Sequence, residues 1–312
     1  MNPSSDLEPL RRSAQVGGIE LVFFEWNPAA RGQEPTLLLA HATGFHARCW
    51  DRMIPHLGAR HVVAVDMRGH GRSKAPPIEH WRVLGQDLSE LVGSRGFDSL
   101  LGVGHSMGGH AMVDAAAIVP DLFLGLVLLD PVIGPPEGYV DGVGKGEAGG
   151  EALHPIARRR NHFDSPREMF ERFADRRPYS LFDPDVLWDY CEHGLLPASE
   201  SGSFALACPP HVEASVYVTS RSNTTIFESV REISVPVQIV RAMDRPPDRD
   251  VMDFSASPTW PELVHEFPDA SDVQLAKLSH FLPMQDPARI AALILDHEAK
   301  CRVQGSDRPP TA

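Results

Sequence analysis

The chain has 312 residues, 42% of them apolar, which is enough to bury the core of one large domain with room for an insertion. Its 42 acidic and 29 basic side chains leave a formal net charge of −13, which disfavours nucleic acid and anionic membrane surfaces as partners. The opening MNPSSDLEPLRR is polar with no apolar leader, and no run reaches the ~18 apolar residues of a membrane span, so a cytoplasmic protein is expected.

In chain order, residues 19–26 (IELVFFEW), 36–40 (TLLLA) and 61–66 (HVVAVD) predict strands. Residues 81–95 carry Trp81, Leu84, Leu88, Leu91 and Val92 at helical spacing. A strand over 100–105 (LLGVGH) runs into Ser106, an Ala-rich helix follows over 107–119, and Pro120 stops it. LGLVLLD, residues 124–130, is a further strand ended by Pro131. These are continuous Val/Leu runs rather than alternations, as in strands buried on both faces of a mostly parallel sheet flanked by helices.

The rhythm then changes. Residues 134–150 mix glycine and proline with charges, and helical patterns follow over 166–176 and 184–194. The strand–helix rhythm resumes at 236–241 (PVQIVR), continues at 273–278 (VQLAKL) and closes with a helix over 287–299. The expected organisation is an α/β core from 1–133 and 236–312, interrupted by a helical cap over 134–235.

Cys49, Cys191, Cys208 and Cys301 form no C-x-x-C pair and are expected as free thiols in a reducing cytosol. No histidine spacing matches a metal site, and no phosphate or dinucleotide glycine loop is present, so neither metal nor cofactor is expected.

Gly104-His105-Ser106-Met107-Gly108 matches G-x-S-x-G between a buried strand and a helix. Small residues at 104 and 108 let strand and helix approach while a strained turn exposes the hydroxyl of Ser106. Serine needs a base, and His280, in LSHFLPM before the terminal helix, is the candidate. His41, His70, His105 and His110 flank motif turns and read as structural or pocket-lining. The oxyanion donors expected are the N–H of Met107 and one from the HATGF turn: Thr43, or alternatively Phe45.

HATGFHARCW, DMRGHGRS, GHSMGG and SHFLPM, in this order, resemble the α/β-hydrolase superfamily over nearly the whole chain. The resemblance implies that fold, with a cap after the sixth strand. The superfamily's usual Gly-x-x-Asp pattern after the seventh strand meets RAMDR here, with Arg241 in place of glycine, which puts Asp244 off pattern. Some members place the acid after the sixth strand, where Asp130 stands. HATGFH, DPVI, the run Arg158-Arg159-Arg160 and Cys208-Pro209-Pro210 with Glu213 and Tyr217 resemble a capped subgroup including fungal acyl-CoA hydrolases and toxin-pathway hydrolases. That resemblance favours Asp130, with Asp244 as the alternative acid. Asp66 and Arg68 order loops in the matching superfamily turn.

Phe45, His105, Arg158 and Tyr190 are the substrate-binding candidates: aromatics for an apolar acyl pocket and Arg158 for an anionic substrate group. The expected activity is a serine hydrolase acting on an ester, lactone or thioester through an acyl-enzyme. A C–C bond hydrolase or perhydrolase using the same triad, and a non-catalytic ligand-binding member of the fold, are the alternatives. Dehalogenation and epoxide opening require aspartate where Ser106 stands. The partner expected is a small molecule, with a homodimer left open.

Overall fold

The computed structural model describes residues 8–139, 154–198, 202–244 and 255–306. β1 (Leu10–Val16) and β2 (Ile19–Trp26) form an antiparallel hairpin, followed by β3 (Thr36–Ala40) and β4 (Val62–Val65). Helix α1 (Arg82–Arg95), β5 (Leu100–His105), α2 (Met107–Ile118) and β6 (Phe123–Leu129) complete the first part of the core. Next come β7 (His162–Phe163), α3 (Pro166–Phe173), α4 (Pro184–His193), β8 (Leu195–Pro197), β9 (Phe204–Leu206), α5 (Pro210–Val218) and α6 (Ile226–Glu232). The core resumes with β10 (Val237–Arg241), β11 (Ala270–Gln274), α7 (Leu282–Gln285) and α8 (Pro287–Ser306).

Eight strands form one sheet in the order β1-β2-β4-β3-β5-β6-β10-β11, parallel from β4 to β11. The apolar runs supply both faces. Leu38 joins the core layer under α1 and α2, while its neighbours Leu37 and Leu39 join the opposite layer with Ile290 and Ile294 of α8. The sheet is therefore covered on both sides, and its parallel strand ends converge on one edge, where α/β proteins place their sites.

Two strands differ from expectation. β1 is largely exposed and polar, so it carries no apolar period. Its signal is Gly17-Gly18, both at positive φ (52° and 75°), the two-residue turn that suits a hairpin. β11 lies upstream of the predicted 273–278. It is an edge strand whose register is set by backbone pairing of Val237 with Ala270 through Arg241 with Gln274, and a half-exposed edge needs no apolar run.

Between β6 and β10 lie α3 to α6 and also a small antiparallel sheet, β7-β9-β8, whose strands are too short to show a period. Ser165 caps α3, accepting from Glu168 N at 3.1 Å. The helix ends at Phe173 rather than continuing to 176. Helix α5 is buried from Val212 through Val216, which erases an amphipathic pattern. Val216, Ile226, Phe227 and Val230 share the apolar layer of α1 and α2, and Trp81 Nε1 donates to Val216 O at 2.8 Å. Phe163, Met169, Phe182, Val186, Leu187 and Tyr190 instead cluster over Phe45 and Phe281. Residues 140–150 of the Gly/Pro-rich stretch and Arg245 lie outside the described residues. All four cysteines are buried and free, and no helix among the described residues is long and apolar enough to cross a membrane.

Candidate active site

Ser106 joins the end of β5 to the start of α2 with φ 57° and ψ −117°, a conformation that non-glycine residues adopt only when the surroundings impose it. A Cβ on Gly104 would lie 2.4 Å from Gly108 O, and one on Gly108 would lie 2.3 Å from Ala40 O. Both glycines are thus required by backbone contact. The serine backbone is held from several sides: its N–H donates to Leu129 O at 3.0 Å, and its carbonyl accepts from Gly109, His110 and Val132 N–H groups.

Ser106 Oγ lies 2.9 Å from His280 Nε2, and His280 Nδ1 lies 2.7 Å from Asp130 Oδ2. Asp130 directly follows β6, fully buried, at φ 49°. Its other carboxylate oxygen accepts from Ala242 N at 3.1 Å and from the Ser257 hydroxyl. Asp244 goes elsewhere: its side chain is 67% exposed and pairs with Arg241 Nη1 at 3.3 Å. Arg241, standing where the pattern calls for glycine, also binds Asp272. Of the two candidate acids, only Asp130 contacts His280.

His280 is clamped through its backbone, its N–H donating to Ser255 O at 2.8 Å and its carbonyl accepting from His105 Nε2 at 2.8 Å. This corrects the expectation for His105. It is fully buried, does not line the cavity, and its Nε2 is bonded to the His280 backbone. His41 likewise serves the backbone, its Nδ1 donating to Ala42 O (2.7 Å) while Nε2 accepts from Met67 N (3.0 Å). Asp66 accepts from Ala47 and Arg72 N–H groups, and Arg68 forks onto Asp87, so both residues staple loops.

The HATGF turn decides between the two oxyanion candidates. Phe45 N–H donates to Ala42 O at 3.1 Å and is spent closing the turn, which removes Phe45 as a donor. No hydrogen bond within the described residues uses the Thr43 or Met107 amide. Met107 opens α2, where the first N–H groups lack helical partners and the helix field favours negative charge.

A cavity of about 380 Å³ adjoins this point, lined by Thr43, Phe45, Phe281, Tyr179 and Tyr190 among others. Ser106 does not itself line it and is 4% exposed. The Phe45 ring, in the cavity wall, sits 5.1 Å from Tyr190 and 5.9 Å from Phe281. Arg159, not Arg158, reaches the cavity. Its Nη1 donates to Glu213 Oε2 at 2.7 Å and its Nη2 to the Tyr190 hydroxyl at 3.3 Å. Burial raises the Glu213 carboxyl above its ordinary range, against the lowering pull of Arg159. Arg160 lines the cavity too; within a run of three arginines the sequence has no marker for which turn inward, and Glu213 on the distant α5 holds Arg159 there.

The alpha/beta hydrolase family model matches residues 37–293. The chain belongs to the alpha/beta hydrolase family. The hydrolase is 36% identical to lipase LipV of Mycobacterium tuberculosis over 99 residues, 31% of this chain and only 37% of the lipase. It is 26% identical to the bifunctional esterase/perhydrolase DCH of Acinetobacter calcoaceticus over 240 residues, 73% of this chain and 79% of that protein. The solved peroxisomal alpha-beta-hydrolase Lpx1 of Saccharomyces cerevisiae superposes with a TM-score of 0.70 at 15% identity, covering 100% of this chain and 94% of that one. At that identity the superposition speaks for fold alone.

Away from the site, Asp189, Glu192 and His193 of the hydrolase bring donor atoms within 4.8 Å of one another. Asp189 is already held by Arg52 at 2.6 and 2.9 Å, which offsets the charge a cation would need.

Buried histidines make the fold acid-sensitive. Burial holds His70 down to about 4, and His105 and His193 down to about 3. Unfolded, each takes up a proton near pH ~6.5; folded, each stays neutral well below that. The unfolded state therefore binds more protons in this window, and stability is full above it and falls as pH drops toward about 4. Each group costs about 1.4 kcal/mol per pH unit there. Burial lifts the Asp51 carboxyl to about 7, which acts in the opposite sense and offsets part of the loss. The melting temperature is expected to fall by several degrees between about pH 7 and about pH 4.5; a flat or rising profile would contradict this account.

Proposed function

We propose that the hydrolase cleaves a carboxylic ester, lactone or thioester of a moderately large apolar acyl group through an acyl-enzyme. The observation carrying this reading is the chain of contacts from Ser106 Oγ to His280 Nε2, and from His280 Nδ1 to Asp130. Asp130 accepts a hydrogen bond from Nδ1–H of His280, so Nε2 is left as an acceptor facing the hydroxyl. His280 removes the serine proton as Oγ attacks the carbonyl. Thr43 and Met107 N–H groups receive the negative oxygen. Protonated His280 passes its proton to the departing alcohol or thiol. Water, deprotonated by His280, then releases the acid and restores Ser106. The residues 134–235 act as the cap that shapes the acyl pocket, with Phe45 and Tyr190 in its wall. Buried free thiols accord with a cytoplasmic setting.

The names of the lipase and the esterase/perhydrolase support ester chemistry. The latter also favours a second reading, in which hydrogen peroxide replaces water and the acyl-enzyme yields a peracid. A fluorophosphonate probe together with a panel of p-nitrophenyl esters, lactones and acyl thioesters tests both. Covalent labelling at Ser106 with a turnover burst on at least one substrate class is expected; absence of labelling would refute the nucleophile. Peracid formation on adding peroxide would establish the second reading.

A further inference from the structure

Five arginines line the cavity, Arg159, Arg160, Arg172, Arg176 and Arg177, against the single acid Glu213, in a chain of net charge −13. They are not equivalent. Arg159 is fixed in the wall with its charge offset by Glu213. Arg160 is held by Glu168 at 2.7 Å and lies over the Phe163 ring at 4.7 Å. Arg172, in the last turn of α3, and Arg176 and Arg177 just beyond it are exposed, and none has a side-chain partner within the described residues. Of the nearby acids, Glu168 is taken by Arg160 and Glu171 lies 3.6 Å from Arg167. Asp175 is exposed in the same turn and lowers, but does not cancel, the excess of three cations. Like charges converging at a cavity mouth repel one another, and an anion received between them relieves that repulsion.

We propose that Arg172, Arg176 and Arg177 form an anion-recognising rim, so that the preferred substrate is an ester or thioester with a carboxylate or phosphate-type group. This rests on the ester reading above and names its substrate class. The cavity that the rim opens into is also lined by Thr43, the candidate oxyanion donor, and by Phe281, next in the chain to His280, so an anion at the rim belongs to the molecule being cleaved. Guanidinium forks match the paired oxygens of either anion.

The test compares three p-nitrophenyl esters of equal chain length, ending in a methyl, a carboxylate or a phosphonate group. Wild type, the triple variant Arg172→Gln/Arg176→Gln/Arg177→Gln and the control Arg167→Gln are assayed on each. Wild type is expected to favour one or both anionic esters in kcat/KM. The triple variant should lose about tenfold of that preference, mainly through KM, as exposed charge contacts allow. Raising salt should erode the wild-type preference, and Arg167→Gln should keep it. The carboxylate and phosphonate arms say which anion the rim takes. No anionic preference in wild type, or an equal preference in the triple variant, overturns the rim. Fluorophosphonate labelling runs in parallel: without labelling or turnover the ester reading fails instead. The rim is then judged by calorimetric binding of the free dicarboxylate and phosphonate acids, where unchanged Kd in the triple variant overturns it.

Discussion

Ser106→Ala is expected to lower kcat by about 10⁵–10⁶-fold, to the residual level that binding and oxyanion contacts alone sustain. The melting temperature should stay within a few degrees of wild type. Among the described residues the hydroxyl hydrogen-bonds only His280, while the Ser106 backbone N–H and carbonyl make the bonds that hold the turn. Alanine accepts the same positive-φ strain that serine accepts, so the elbow stays formed. Steady-state kinetics with circular dichroism melts read both quantities. Turnover within tenfold of wild type would show that the acyl transfer does not pass through this residue.

Asp130→Asn is expected to cost about 10³–10⁴-fold in kcat, and Asp244→Asn less than about twofold. The size of the first follows from the partners of Asp130. Ala242 N–H and the Ser257 hydroxyl both point at Oδ1, and the amide N–H there demands an acceptor. An asparagine must therefore keep its oxygen on that side and turn its NH₂ toward His280. The NH₂ would donate to Nδ1, the ring proton would move to Nε2, and the imidazole would face Ser106 as a donor instead of a base. Asp244 has no such link, since it is exposed and tied to Arg241. A pH–rate profile would sharpen the comparison: activity of Asp130→Asn should recover partly at high pH, where hydroxide can stand in for the lost base. Equal losses in the two variants would mean that the acid is not set by contact with His280.

Much of this site was legible in the chain. Ser106 was legible because backbone crowding imposes glycine at 104, against Gly108, and at 108, against Ala40, and a short motif records both. His280 was legible from its place between the last strand and the closing helix. The strands β3 to β6 and β10 were legible because burial on both faces leaves unbroken apolar runs. β1, β7 to β9 and β11 were not, since exposed or very short strands are specified by backbone pairing with partners elsewhere in the chain. Helix α5 escaped because burial on nearly every side leaves no polar face to set a period.

The sequence by itself therefore determined the layered α/β architecture and the family, and it singled out Ser106 and His280 as the candidate nucleophile and base, all from local pattern. Only the tertiary structure distinguished Asp130 from Asp244 by contact with His280, showed the Phe45 amide bonded within its own turn, placed His105 against the His280 backbone and brought Arg159 rather than Arg158 to the cavity. Each of those turns on which groups meet across more than fifty residues of chain, or on a backbone N–H already spent within a turn. Hydrogen-bond partnership of that kind depends on where the folded backbone places two atoms, and it leaves no periodic mark in the order of the residues.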